Sequence, residues 1–340
     1  MELQREADSR FNPAAVHVKC SMGALSASGA AVVIIHNGAI ACESYWGRHS
    51  DQPGARCIQE DSRFHVASVR KSYIGFAAAW ALQQGYMGSM DDEVSGYLPE
   101  ENAGVLEGVT FRHLLTHTHG LKVEGGRITR NFPAGTSWKY RSIGVELLTR
   151  MIKRASGCTV AHILEEQVFR PLAFSESGWY PPGAHERLVE VLYDPRDPYW
   201  SEAECAGTEG DQSNLYVSAR ELAYWGYLHL RSGSIRGWPE VSAEVIRTST
   251  TLQSPSLPDP EHPRNGCFWF IQDRPSRRTE LGERVPRGSY QILGYTGAAV
   301  LVIPSHQVVA VRMLNRAGST PGYDYLADIR GFGDTVAGCL

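Results

Sequence analysis

The stretch HVASVRKSYIGFAAAWALQQG, residues 65–85, places a serine three residues before a lysine at the head of a helical pattern. A serine hydroxyl is a weak nucleophile until a base removes its proton. Residues three apart share one face of a helix, so Lys71 can lie beside the Ser68 hydroxyl. Three influences lower the pKa of a lysine there. They are the partial positive charge of a helix N-terminus, the apolar followers Ile74, Phe76, Ala77 and Ala78, and the charge of Arg70. A neutral lysine accepts the serine proton, and the Ser68 N–H at the same terminus can donate to an oxyanion. The plainer alternative is that Ser68 merely caps a helix, since Ser-x-x-Lys is a common match. Two facts favour the pair. The chain has five lysines, and Lys71 alone follows a serine at that spacing. The pair also falls at a strand-to-helix junction, where a nucleophile is held on a rigid support. Arg70 itself is expected at the surface of the helix.

The surrounding elements must position this pair. AAVVIIHNGAIACESYWG reads as a β-hairpin turning at Asn37-Gly38, a dipeptide that tolerates positive φ. SRFHVA is a short strand leading to Ser68. Helical periodicity then dominates to about Gly233, in segments such as TFRHLLTH, SIGVELLTRMIKRASG, TVAHILEEQVFRPL and SARELAYWGYLHLRSG. Strands return in CFWFIQ, YTGAAVLVIP and QVVAVRMLN, and YDYLADIRGFGDTVAGCL closes the chain as a helix with glycines in it. If the terminal strands share one sheet, the helical middle is an insertion and a cleft lies between two lobes.

With SVRK in place, the chain resembles the serine β-lactamase and penicillin-binding-protein superfamily, in its class C β-lactamase, esterase and D-aminopeptidase branch. That family carries Ser-x-x-Lys, Tyr-x-Asn and Lys/His-Thr-Gly. The first matches Ser68 and Lys71. The second is similar to YRS, Tyr140 to Ser142, within FPAGTSWKYRSIGVELLTRMI; the third is similar to YTG, Tyr295 to Gly297. VTFRHLLTHTHGL and VFRPLAFSESGW resemble framing segments of the family, so the likeness runs from about Ala30 to Asn315. It implies an α+β, β-lactamase/transpeptidase-like fold. An antiparallel sheet flanked by helices would form from 1–67 plus 260–340, with a mainly helical lobe at 68–259.

The resemblance also implies roles. Ser68 is the nucleophile, Lys71 its partner and Tyr140 the second acid–base group, provided that nearby cations lower the tyrosine pKa. Either Lys71 or Tyr140 takes the serine proton. The N–H groups of Ser68 and Ala298 form the oxyanion hole, and Ser142, Tyr295, Thr296 and Gly297 contact substrate. Two departures bear on that substrate. Ser142 replaces an asparagine that holds the substrate amide, and Tyr295 replaces a cation that favours anionic substrates. Efficient β-lactam hydrolysis is therefore not expected, and ester or amide cleavage of a small molecule is. The aromatic-rich segments SGWYPP, DPRDPYW and CFWF can line an apolar pocket or simply fill the core.

Other classes are weighed against this. An acyltransferase would hand the same acyl group to an alcohol or amine acceptor, and a sensor or binding protein would keep the fold without turnover. His113, His117 and His119 lack the glutamate of H-E-x-x-H, so they are read as structural and no metal or cofactor is expected. No G-x-S-x-G, P-loop or G-x-G-x-x-G occurs. The 340 residues are 42% hydrophobic and 21% charged with a formal charge of −4, which offers nothing to nucleic acid. RPSRR, from Arg274 to Arg278, is the densest basic cluster and reads as a solvated loop. No apolar run reaches membrane-spanning length, about 20 residues, and no leader is recognised at the start. Seven cysteines without a C-x-x-C pair suit reduced core thiols in the cytoplasm. Nothing in the sequence bears on oligomeric state.

Overall fold

Asn37 and Gly38 both adopt positive φ, 51° and 87°, so the strands Gly29–His36 and Ala39–Gly47 form the expected hairpin. In the computed structural model, which describes residues 2–200, 205–274, 276 and 278–340, this hairpin starts a six-stranded antiparallel sheet. The order from the hairpin edge is Ala39–Gly47, Gly29–His36, Val308–Leu314, Ala299–Ile303, Tyr290–Leu293 and Phe270–Ile271. The two ends of the chain thus meet in one sheet, Ala30 opposite Leu314 and His36 opposite Val308.

The central strands are apolar at almost every position because both faces are covered. Val33, Ile35, Val300, Val302, Val309 and Val311 face the larger core, which continues into the helices of the middle segment. Their alternating neighbours Val32, Ile34, Leu301, Ile303 and Ala310 face a second core. That core is closed by the helices Asn12–Leu25 and Tyr325–Ala337. The first of these is not evident in the reading above. The second forms despite its glycines, because a Cβ at Gly333 would lie 1.9 Å from the Leu281 carbonyl oxygen. The α+β, β-lactamase/transpeptidase-like architecture is present. The middle segment is not walled off from the sheet, however. Its helix Ala219–Leu230, capped by Ser218, lies directly on the sheet, and Gly226 leaves room for Val300 and Val309.

The helix Arg70–Gln83 runs through this shared core and is buried on nearly all sides. Its small residues allow close neighbours. Tyr73 stacks on Trp225 at 4.1 Å, the Trp225 indole donates to Ser72 Oγ at 3.0 Å, and Gly75 abuts Cys267. CFWFIQ contributes only Phe270–Ile271 as strand, since Phe268 takes φ 66° and turns the chain. Three cysteines are buried, while Cys20 and Cys57 are exposed, so the seven thiols do not all fill the core. Pro275 and Arg277 of the RPSRR segment lie outside the described residues; Arg278 pairs with Asp259 at 2.9 Å. Among the described residues no helix is long and apolar enough to cross a membrane.

Candidate active site

Ser68 occupies a single 3₁₀ turn, Ala67–Val69, between the strand Arg63–His65 and the helix that begins at Arg70. Ala67 holds φ 46°, an uncommon conformation for a residue with a Cβ, immediately before the serine. Lys71 Nζ lies 2.7 Å from Ser68 Oγ and 2.6 Å from the Tyr140 hydroxyl. Residues 69 positions apart in sequence are thereby joined through one buried amine.

Burial drives the Lys71 pKa well below its ordinary value, and the charge of Arg70 adds to the effect. Arg70 is buried, not at the surface as expected from the sequence. Its position beside the pair makes it an electrostatic neighbour of the lysine. Tyr140 behaves differently from the sequence expectation. Its pKa is raised, because its packed surroundings outweigh the lowering by the Ser68 hydrogen bond and the Arg70 charge. The tyrosine is therefore a phenol at rest, whereas the charged form of the lysine is disfavoured.

Tyr140 is placed from below by His117. The Lys139 N–H donates to the His117 carbonyl at 3.0 Å, and the His117 ring lies 4.6 Å from the Tyr140 ring. Desolvation by burial drives the His117 pKa well below its ordinary value and keeps the ring neutral. His113 receives the Thr110 N–H in a capping box, and His119 receives the Leu121 N–H. The three histidines thus serve separate local tasks. Among the described residues no group of three or more His, Cys, Asp or Glu could hold a metal ion.

The YTG segment forms the opposite wall. Gly294 to Ala298 is a three-residue hairpin loop with a bulge: the Gly297 N–H donates to the Gly294 carbonyl, and the Gly294 N–H to the Ala298 carbonyl. Gly297 supplies the positive φ of 84° that this turn requires. The bulge leaves the Ala298 N–H outside the ladder, and among the described residues neither it nor the Ser68 N–H has a partner. Gly294 packs so tightly that a Cβ there would sit 2.2 Å from the Val66 carbonyl oxygen and 3.3 Å from the Ser68 nitrogen. Buried Arg312 donates to the Gly297 carbonyl at 3.0 Å and is paired with Asp328 on the C-terminal helix.

Several residues expected to contact substrate are placed otherwise. Thr296 is fully buried and donates to the His65 carbonyl at 2.7 Å, which ties the loop to the strand before Ser68. Its side chain holds the wall in place. Thr296→Val is expected to cost about 1–2 kcal/mol of stability, read as a lower midpoint in denaturant, by leaving that carbonyl unpaired. Ser142 is exposed at the start of the helix Ile143–Ser156, makes no capping hydrogen bond, and does not line the cavity at Ser68. Tyr295 does line it, with its hydroxyl donating to Asp197 at 2.9 Å.

That cavity measures about 250 Å³ and opens onto the Ser68 hydroxyl. Trp138, Tyr140, Phe270, Tyr295 and Tyr325 form its aromatic wall, and Ile292, Leu293 and Leu326 complete the apolar surface. Phe270 comes from CFWF, whereas Phe268 and Trp269 are core. Trp179 of SGWYPP is also core, and Trp200 of DPRDPYW packs on His65 at 5.0 Å. Glu280, Tyr325 and Arg312 carried no signal in the sequence. Trp138 stood two residues before Tyr140 in an already conspicuous segment.

Comparison with known proteins agrees with this fold. The chain is 51% identical over 340 residues to an uncharacterized protein of Alkalihalophilus pseudofirmus, covering 100% of this chain and 99% of that one. Its fold is similar to a class C beta-lactamase, with TM-score 0.77 at 16% identity over 98% of each chain. It is likewise similar to EstCE1, a hydrolase with promiscuous acyltransferase activity, with TM-score 0.73 at 16% identity over 96% of this chain and 98% of that one. The family model for Beta-lactamase matches residues 15–332, nearly the whole described fold, and the chain belongs to the beta-lactamase family.

Proposed function

We propose that the protein is a serine hydrolase that cleaves an ester or amide of a small molecule through an acyl-serine intermediate. The observation that carries this reading is the Lys71 amine, buried and held within hydrogen-bond distance of both Ser68 and Tyr140. A neutral amine has one lone pair and two N–H groups, so it can take the Ser68 proton while donating to the tyrosine oxygen.

The steps follow from those distances. Ser68 Oγ forms a bond to the substrate carbonyl carbon as its proton passes to Lys71 Nζ. The carbonyl electrons move onto oxygen, which is met by the N–H groups of Ser68 and Ala298. When the carbonyl re-forms, the bond to the leaving oxygen or nitrogen breaks. Tyr140 gives its phenolic proton to that atom and regains one from the Lys71 ammonium. Water then attacks the acyl-serine with the proton transfers reversed, and Ser68 is released. Lys71 is the base in this scheme because its charged form is disfavoured, while Tyr140 begins as an acid.

The test is intact-mass spectrometry after incubation with a fluorophosphonate. Wild type is expected to gain one adduct, Ser68→Ala none, and Tyr140→Phe an adduct at a rate about 10²-fold lower or less. A folded wild type that gains no adduct removes the nucleophile and favours a binding protein of the same fold. A second reading, acyl transfer to an alcohol or amine, is favoured by the apolar lining of the cavity, which disfavours water at the acyl group. Product formed only with an added acceptor identifies it. Ester or amide substrates without a negative charge fit best, as among the described residues no lysine or arginine lines the cavity.

A further inference from the structure

Among the described residues, five aromatic rings and a single carboxylate, that of Glu280, share the cavity with Ser68. The polar ends of the rings are engaged elsewhere. The Trp138 indole N–H donates to Asn265 at 2.9 Å, the Tyr325 hydroxyl to the Gly294 carbonyl at 3.0 Å and the Tyr295 hydroxyl to Asp197. The Tyr140 hydroxyl meets Lys71. What the rings offer the cavity is therefore their faces and edges.

Glu280 is the exception. It is only partly exposed, and among the described residues its carboxylate has no hydrogen bond or ion pair. Its backbone carbonyl is held by Gln291, and the adjacent Thr279 carbonyl by Arg330 Nε at 2.6 Å, so the segment is anchored while the side chain is left to the cavity. A carboxylate taken from water without a partner is costly, and an entering cation relieves that cost. Aromatic faces attract the same kind of guest, an organic cation whose hydration is weak.

We propose that this cavity takes an ester or amide bearing an alkylammonium group, seated against the aromatic wall with Glu280 as its counter-ion. The proposal rests on the serine-hydrolase reading for the chemistry and adds the substrate class. It runs opposite to a cavity with a lysine at its mouth, since the position of Tyr295 offers no positive charge and the one ionisable group left unpaired is an acid.

A pH signature accompanies it. Burial raises Glu280 to about 7, with Arg330 opposing the rise. The groups facing it are Tyr140, on the segment before the helix Ile143–Ser156, and Tyr325 and Arg330, on the C-terminal helix. Tyr140 and Tyr325 have raised pKa values and stay neutral near pH 7. The cation is therefore favoured as pH rises through about 7 and Glu280 ionises, and loses its partner below that.

The experiment compares nitrophenyl esters of trimethylammonio-acyl chains of increasing length with their neutral tert-butyl isosteres, in wild type and in Glu280→Gln. The quantity read is the ratio of kcat/KM for cation over isostere, in which the titration of Lys71 cancels. For the best chain length the wild-type ratio is expected to reach about tenfold at high pH and to fall toward unity on acidification. In Glu280→Gln it is expected to stay near unity throughout. A wild-type ratio near unity at every chain length, or one unchanged by Glu280→Gln, overturns the proposal while leaving the hydrolase intact. If neither ester turns over and no fluorophosphonate adduct forms, the hydrolase reading fails. Calorimetric titration with phenyltrimethylammonium then decides the site alone: binding lost in Glu280→Gln upholds it, and no binding to wild type removes it.

Discussion

Replacing Lys71 with methionine is expected to lower kcat/KM for a nitrophenyl ester by about 10³–10⁴-fold and to raise the melting temperature by about 2–5 °C. Both effects have one origin. The amine sits in a site that disfavours its charged form. An unfolded lysine keeps its proton up to about pH 10.4. In the folded chain the pKa is lower, so between the two values the unfolded chain binds more protons and stability rises with pH. At neutral pH the fold bears the cost of that displaced proton, and methionine, of similar length and apolar, removes it. Calorimetric scans across the pH range should find the wild-type curve steeper than that of Lys71→Met. The same shift predicts the sign of the rate profile. Activity falls as pH drops through the depressed lysine pKa, because the protonated amine can no longer accept from Ser68. A Lys71→Met protein that is less stable than wild type and keeps its activity would remove the lysine from both roles.

Gly294→Ala is expected to have the second largest effect, although the residue carries no functional group. Its added Cβ would lie 2.2 Å from the Val66 carbonyl oxygen, a backbone atom that cannot rotate aside. Relief requires the YTG loop and the turn bearing Ser68 to move apart, and in the proposed mechanism those two segments supply the two N–H groups that meet the oxyanion. A loss of about 10²–10³-fold in kcat is expected, as for removal of one oxyanion donor. A stability loss of about 1–3 kcal/mol should accompany it, read from denaturant unfolding. Full activity in the variant would show that the separation of these two segments is not tightly set.

Much of the site was legible because it is local. Ser68 and Lys71 are three residues apart on one turn, and their chemistry follows from helical geometry alone. Tyr140 and YTG stood out through their resemblance to family motifs, and Gly297 takes the positive φ of the turn there. The hairpin at Asn37-Gly38 was evident from its turn chemistry. Arg70, by contrast, looked like a surface side chain. Helical periodicity cannot reveal burial in a helix enclosed on nearly every side, because such a helix has no polar face to mark its orientation.

What residue types and short spacings determine here is the Ser68–Lys71 pair, the turns and the apolar runs that make the sheet. Tertiary structure decided which groups share the cavity. Glu280 meets Tyr140 and Tyr325 across the sheet edge and the C-terminal helix, Thr296 turns away to bind His65, and Ser142 stays outside. Those placements depend on strand order and on packing between residues far apart in the chain. A carboxylate's neighbours, and hence its charge and its guest, are set by burial that no local pattern encodes.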